Sequence, residues 1–172
     1  GTGTLICKEV REMENIVVSG ATVSKNDAKI TLIGVSDEPG QAANIFHELA
    51  KEKINVDMII QNVSANGLTD LTFTVDKDDL ALALETTKRT KGEIKAKEIV
   101  ADDKIAKLSV VGIGMRSHCG IAEKLFKTLS DEKINIQMIS TSEIKISCVI
   151  EEAQAEKALN AVHNAFVLDK EQ

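Results

Sequence analysis

Between Ala42 and Leu49 the apolar residues Ala42, Ile45, Phe46 and Leu49 recur at i, i+3, i+4 and i+7, while Asn44, His47, Glu48 and Lys51 take the other positions. That spacing predicts an amphipathic helix with one buried stripe. The segment before it, Lys29–Val35, is apolar on both faces and reads as a strand in the middle of a sheet. After the helix, Ile54–Gln61 reads as a second strand. Asn66-Gly67 is a hairpin signal, and beyond it Leu71, Phe73 and Val75 alternate with Thr72 and Thr74 as a half-buried third strand. Asp76–Lys88 has the acidic start and basic end of a helix oriented with its dipole, with Leu80 and Leu84 inward. Ile94–Val100 supplies a further strand.

The same order of patterns then returns. Ile105–Ile113 repeats the central strand, Ala122, Leu125, Phe126 and Leu129 repeat the helix stripe, and Ile134–Thr141 repeats the second strand, opened in both copies by the tetrapeptide EKIN. Ile144, Ile146, Cys148 and Ile150 alternate as the third strand. Glu151-Glu152 opens a helix with Ala155, Ala158, Leu159 and Val162 inward, and Phe166–Leu168 reads as a last short strand. Asn15–Val23 is rich in β-forming residues and, across the polar turn Lys25-Asn26-Asp27, is predicted to hairpin onto Lys29–Val35. Two βαββα units, each preceded by such a strand, make an α+β chain of two ferredoxin-like (βαββαβ) domains in tandem. The expected division is residues 1–14 as a linker from something upstream, 15–92 as the first domain and 93–172 as the second. Each four-stranded sheet leaves a face or edges open, so the sheets are expected to pair side by side, within one chain or between two.

Composition narrows the function. With no Trp, no Tyr and four Phe, the core must be aliphatic. A formal charge of −6 argues against a nucleic-acid surface, which needs a basic face. No apolar run approaches the ~20 residues that span a bilayer, and no signal-peptide layout opens the chain, so a cytoplasmic protein without membrane contact is expected. Cys7, Cys119 and Cys148 are odd in number and lack a C-x-x-C pair, which points to reduced thiols. Neither Asp76-Lys77-Asp78-Asp79 nor Glu151-Glu152 has the alternating oxygens of a calcium loop, and no metal is expected. Met58 and Met138 read as core fillers, and His47 and His163 as exposed helix residues.

The loops before the two stripe helices carry the candidate chemistry. In Asp37-Glu38-Pro39-Gly40, an acidic residue stands near the helix start and Pro is set for the first turn. Backbone N–H groups of Gly40, Gln41 and Ala42 at such a terminus suit a carboxylate, and Asp37 suits an ammonium. The second loop, Met115-Arg116-Ser117-His118-Cys119-Gly120, is two residues longer between its flanking glycines, has no counterpart of Asp37, and puts Cys119 where the first has Pro39. Two unequal binding sites are expected. His118-Cys119 invites a nucleophile reading, but neighbours in sequence seldom face one another.

VSDEPGQAANIF, INVDMIIQNVS, LTDLTFTV, GIGMRSH and INIQMISTSEIKISCVI closely resemble the tandem ACT domains of bacterial aspartokinase, in its regulatory half or its separate β subunit. The resemblance covers nearly the whole chain. It implies a feedback regulator that binds lysine and/or threonine at ACT interfaces and restrains aspartate phosphorylation. It also implies ACT homodimers and attachment to an aspartokinase catalytic domain or α subunit. No Walker-type G-K-[ST] loop occurs, so no cofactor is expected in this chain, ATP belonging to the catalytic part. By the family's arrangement the first loop is completed by Asn135, Ile136 and Gln137 of a facing unit and by Gln61, giving a site with Asp37, Gly40, Gln41 and Ala42. A second site would take Met115, Ser117, His118 and Gly120 with Asn55, Val56 and Asp57, and Ser140, Thr141 and Ser142 near it; Ser64 and Thr69 lie near the sites or interface. A tandem ACT sensor of another amino-acid enzyme is the alternative.

Overall fold

A computed structural model describes residues 18–63, 65–112 and 119–168. In chain order its elements are β1 (Val18–Ser24), β2 (Asp27–Ser36), α1 (Gln41–Lys51), β3 (Val56–Gln61), β4 (Leu68–Asp76), α2 (Leu80–Thr90), β5 (Glu98–Asp102), β6 (Ile105–Gly112), α3 (Cys119–Asp131), β7 (Met138–Thr141), β8 (Lys145–Glu151) and α4 (Ala155–Leu168). They form two four-stranded sheets, ordered β3-β4-β2-β5 and β1-β6-β8-β7.

Alternation fixes the register of the first sheet. Ala28, Ile30 and Leu32 on β2 stand opposite Val75, Phe73 and Leu71 on antiparallel β4, and all six are at most 2% exposed. Ile45 and Leu49 from α1, Ala83 from α2 and Ile94 complete this core, and Phe46 meets Phe73 edge to face with ring centroids 5.6 Å apart. β2 is central in its sheet, as expected, but only one face is buried: Lys29, Thr31 and Ile33 on the other are half-buried. The second sheet has the same plan. Leu108 and Val110 of β6, Ile146, Cys148 and Ile150 of β8, Ile121, Leu125 and Leu129 of α3, and Ala158, Val162 and Phe166 of α4 share one core. Met58 and Met138 are buried, and His47 and His163 are exposed.

Edge-strand pairing departs from expectation. The hairpin predicted between Asn15–Val23 and Lys29–Val35 does not form: β1 pairs antiparallel with β6, Val23 opposite Leu108, and β2 takes β5 instead, Lys29 opposite Asp102. Lys25-Asn26 is thus a crossing between units, not a tight turn. The compact units are Asn26–Ile105 and, discontinuously, the described residues up to Lys25 with those from Ala106 on. Against the expected division at residues 15–92 and 93–172, one edge strand has been exchanged each way. The second unit is therefore βαββα with its last strand supplied from upstream, so Phe166–Leu168 need not be a strand and instead continues α4. Ile94 is buried but precedes β5, because Lys95 turns the chain at φ 54 before the strand begins at Glu98. In the second copy the strand likewise begins at Met138, not Ile134. The expected linker 1–14 lies outside the described residues.

EKIN is the end of each stripe helix. After α1, the Lys53 N–H donates to the Ala50 carbonyl (2.9 Å) and the Ile54 N–H to that of Leu49 (3.0 Å). Lys133 and Ile134 repeat both bonds with Ser130 and Leu129, each at 2.9 Å. This is a Schellman motif, with a buried isoleucine after it as the hydrophobic partner. Lys53 and Lys133 sit at φ 60 and 59, the left-handed region that disfavours any Cβ. Lys53→Gly is accordingly expected to stabilise by about 0.5–1 kcal/mol, the relieved strain exceeding the added unfolded-state entropy. A lower urea midpoint for that variant would overturn the expectation.

Candidate effector pocket

The pocket is shaped where β2 turns into α1. Gly34, at φ 66, breaks the β2–β4 register between Leu32 and Val35 and donates its N–H to the Asp70 carboxylate at 2.9 Å. A Cβ there would stand 2.8 Å from Cδ of Lys97, whose own N–H holds the Ile33 carbonyl at 2.9 Å. Further on, the Asp37 N–H donates to the Gly67 carbonyl (2.9 Å), which ties the loop to the β3–β4 hairpin.

The N-cap of α1 is Gly40, at φ 97 and with no side-chain cap, rather than an acidic residue; Pro39 lies in the preceding turn, outside the helix. The first helical bond runs from the Asn44 N–H to the Gly40 carbonyl (3.0 Å). Of the N–H groups expected to be open, that of Gln41 is turned back to the Glu38 carbonyl (3.4 Å), whereas those of Ala42 and Ala43 have no partner among the described residues, the condition that makes a helix start receptive to an anion. Space for a Cβ on Gly40 is open, so glycine is needed there for its φ and not for close packing.

This loop borders a cavity of about 440 Å³. Residues 36–42 line it together with Val35 and Leu71, which are apolar, and Gln61 and Thr69, which are polar. Among the described residues its charged lining is carboxylate, Asp37 and Glu38. Glu38 accepts from Gln41 Nε2 at 3.4 Å and pairs with Lys95 Nζ at 3.5 Å, whereas Asp37 is exposed and has no ion pair among the described residues. Gln41 Oε1 is buried without a hydrogen-bond partner among the described residues, an acceptor left over for a further donor. The Thr69 hydroxyl donates to the Asn62 carbonyl and so holds the hairpin arm.

Asp37, Gly40, Gln41, Ala42 and Gln61 are thus brought to one cavity. Reading the sequence missed Val35, Ser36, Glu38, Pro39 and Leu71 as lining residues; the last strand residues before the loop and the register of β4 against β3 were the signals for them. Asn135 and Ile136 belong to the other unit, where they line a depression of about 350 Å³ with Phe126, Ser130, Lys133 and Ile134. Gln137 is exposed and its N–H donates to the Val149 carbonyl (2.8 Å). Val56 and Asp57 open β3 and Asn55 precedes it; Val56 packs on the core while Asn55 and Asp57 are exposed, and none of the three lines the 440 Å³ cavity. Ser140 and Thr141 are exposed on β7, Ser142 follows with its N–H on the Lys145 carbonyl (2.8 Å), and Gly120 lies in the first turn of α3. Met115, Arg116, Ser117, His118 and Ser64 lie outside the described residues. Burial pushes the Cys148 thiol up to about 12, which makes it inert as a nucleophile at neutral pH. Among the described residues no helix is long and apolar enough to cross a membrane.

Comparison with known proteins fits this geometry. The sequence matches the ACT domain family over residues 30–90 and 108–166. It is 49% identical over 171 residues to the aspartokinase of Pseudomonas aeruginosa, covering 98% of this chain and 42% of that one. The chain spans about two fifths of the length of the curated relatives it matches. Among solved structures, the ligand-free regulatory subunit of aspartate kinase from Thermus thermophilus superposes with a TM-score of 0.84 at 42% identity, covering 87% of this chain and 99% of that one. A chain from a crystal structure of aspartokinase α and β subunits gives 0.82 at 48% identity, covering 87% and 98%. The repeated βαββα plan, the family match over both repeats and the near-complete coverage of separate regulatory subunits agree: this chain belongs to the ACT domain family, among the tandem regulatory regions of aspartokinases.

Proposed function

We propose that the chain is the feedback sensor of an aspartokinase, and that the cavity beside Asp37 and the start of α1 takes the amino-acid effector, lysine and/or threonine. The observation that carries this reading is the uncapped start of α1 opening on a 440 Å³ cavity, with a carboxylate at its rim that has no ion pair among the described residues. The Ala42 and Ala43 N–H groups receive the effector's carboxylate. Asp37 and Gln41 Oε1 accept from its ammonium, and Val35 and Leu71 border its side chain. A charge-assisted bond contributes about 1.5–3 kcal/mol, so two or three account for micromolar affinity. In the same proposal Asn135, Ile136 and Gln137 of a second copy close the open side of the cavity in an ACT homodimer, and a catalytic domain or α subunit handles aspartate and ATP. A site built around the second loop and Asn55–Asp57 would bind differently, having no counterpart of Asp37.

Effector binding acts only through its differential affinity for two arrangements of the regulatory units. A hundredfold difference corresponds to about 2.7 kcal/mol, enough to close a catalytic site. Titration calorimetry with lysine and threonine, singly and together, tests the reading; heat from neither would remove it. Asp37→Asn is expected to weaken binding about tenfold or more while leaving the melting temperature unchanged, since the Asp37 carboxylate is exposed and has no ion pair among the described residues. Equal affinity in the variant would exclude Asp37 as the ammonium's partner.

A further inference from the structure

We propose that Lys95, outside the cavity lining, sets the charge selectivity of the effector pocket; the inference rests on the reading of that pocket as an amino-acid site. Two carboxylates border the cavity, and among the described residues no lysine or arginine does. They are not equivalent. Glu38 is neutralised by Lys95 at 3.5 Å and tethered by Gln41 at 3.4 Å, whereas Asp37 is left to the ligand.

Lys95 is held to this task by its backbone. It stands at φ 54 in the connection from α2 to β5, a conformation that a lysine adopts at some cost. Ile94 on one side is fully buried and Ala96 on the other nearly so. Anchored on both sides, the backbone at Lys95 is held where its ammonium reaches Glu38 of the effector loop. The net charge felt by a bound side chain is then that of one carboxylate, already committed to the effector's α-ammonium. Such a pocket treats a neutral side chain and a cationic one more evenly than two bare carboxylates would. Lys95→Met restores the second charge and should favour the cationic effector. Glu38→Gln leaves Lys95 unpaired beside the cavity and should favour the neutral one.

The side chains of Glu38 and Lys95 are 55% and 63% exposed, so solvent screens the effect and low salt is needed to read it. Dissociation constants for lysine and threonine would be measured on the full chain by calorimetry at low ionic strength. The lysine-over-threonine preference is expected to rise about threefold or more in Lys95→Met and to fall by a similar factor in Glu38→Gln. It should return close to the starting value in the double variant and shrink at 0.5 M salt, near ~4–5 Å screening. A role confined to stability would lower both affinities together and leave the ratio alone, and that outcome overturns the proposal, as does movement of both single variants in one direction. If the unaltered chain binds neither amino acid, the sensor reading itself fails and this inference falls with it; binding with a constant ratio removes Lys95's role alone.

Discussion

Replacing Phe73 with alanine is expected to destabilise the Asn26–Ile105 unit by about 3–5 kcal/mol, a loss that a marginally stable domain barely survives. Phe73 is fully buried in the middle of β4, between Ile30 of β2 and Ile59 of β3, with the ring of Phe46 edge-on to its own. Truncation leaves a void under two strands and a helix whose backbones are fixed by the ladder, so little can collapse into it. The other repeat offers the control. Cys148 holds the corresponding place on β8 and is equally buried, while Phe166 enters that core from α4. Cys148→Ala removes one sulfur and should cost far less. With no Trp or Tyr in the chain, the measurement is urea unfolding followed by far-ultraviolet circular dichroism. A loss under about 1 kcal/mol for Phe73→Ala would mean that the repeat's core is not organised around that ring.

The second large effect is all-or-none. Residues 26–105 contain every strand of their sheet and are expected to fold alone, with a cooperative transition. Residues 93–172 lack β1, which pairs along β6 from Val18–Gly112 to Ser24–Lys107. They also carry β5, whose partner β2 is absent. That fragment presents the bare edge of β6, a template for self-association, and should be unfolded or aggregated in sedimentation and circular dichroism. Finding it monomeric and cooperatively folded would show the strand exchange to be dispensable.

Periodicity made the elements legible. Ala42, Ile45, Phe46 and Leu49, and Leu71, Phe73 and Val75, are local patterns dictated by one buried face, and a sequence records them directly. The exchange of β1 and β5 was not legible, since either strand satisfies an edge equally well and the choice depends on where the connecting chain can reach. Gly34 with positive φ, Asp70 as its partner and Lys97 lying over it form one non-local arrangement that no spacing rule encodes. For the pocket, the loop from Asp37 to Ala42 announced itself by composition, and Gln61 came through family resemblance. Lys95 did not announce itself at all, because its pairing with Glu38 spans 57 positions of sequence.

The nesting of one unit within the other has a kinetic meaning. Pairing β1 with β6 in an otherwise unfolded chain must close a loop of roughly 80 residues, an entropic cost that grows with the logarithm of its length. Once Asn26–Ile105 is folded, β2 and β5 lie side by side with Lys29 opposite Asp102, so the two exits of that unit already stand together. The remaining gap is then worth only a handful of residues, and by the same scaling about 2 kcal/mol of closure entropy has been removed beforehand. On this argument folding of the continuous unit first is the less costly order, since it would act as a clasp that brings the two ends of its neighbour's chain to one place.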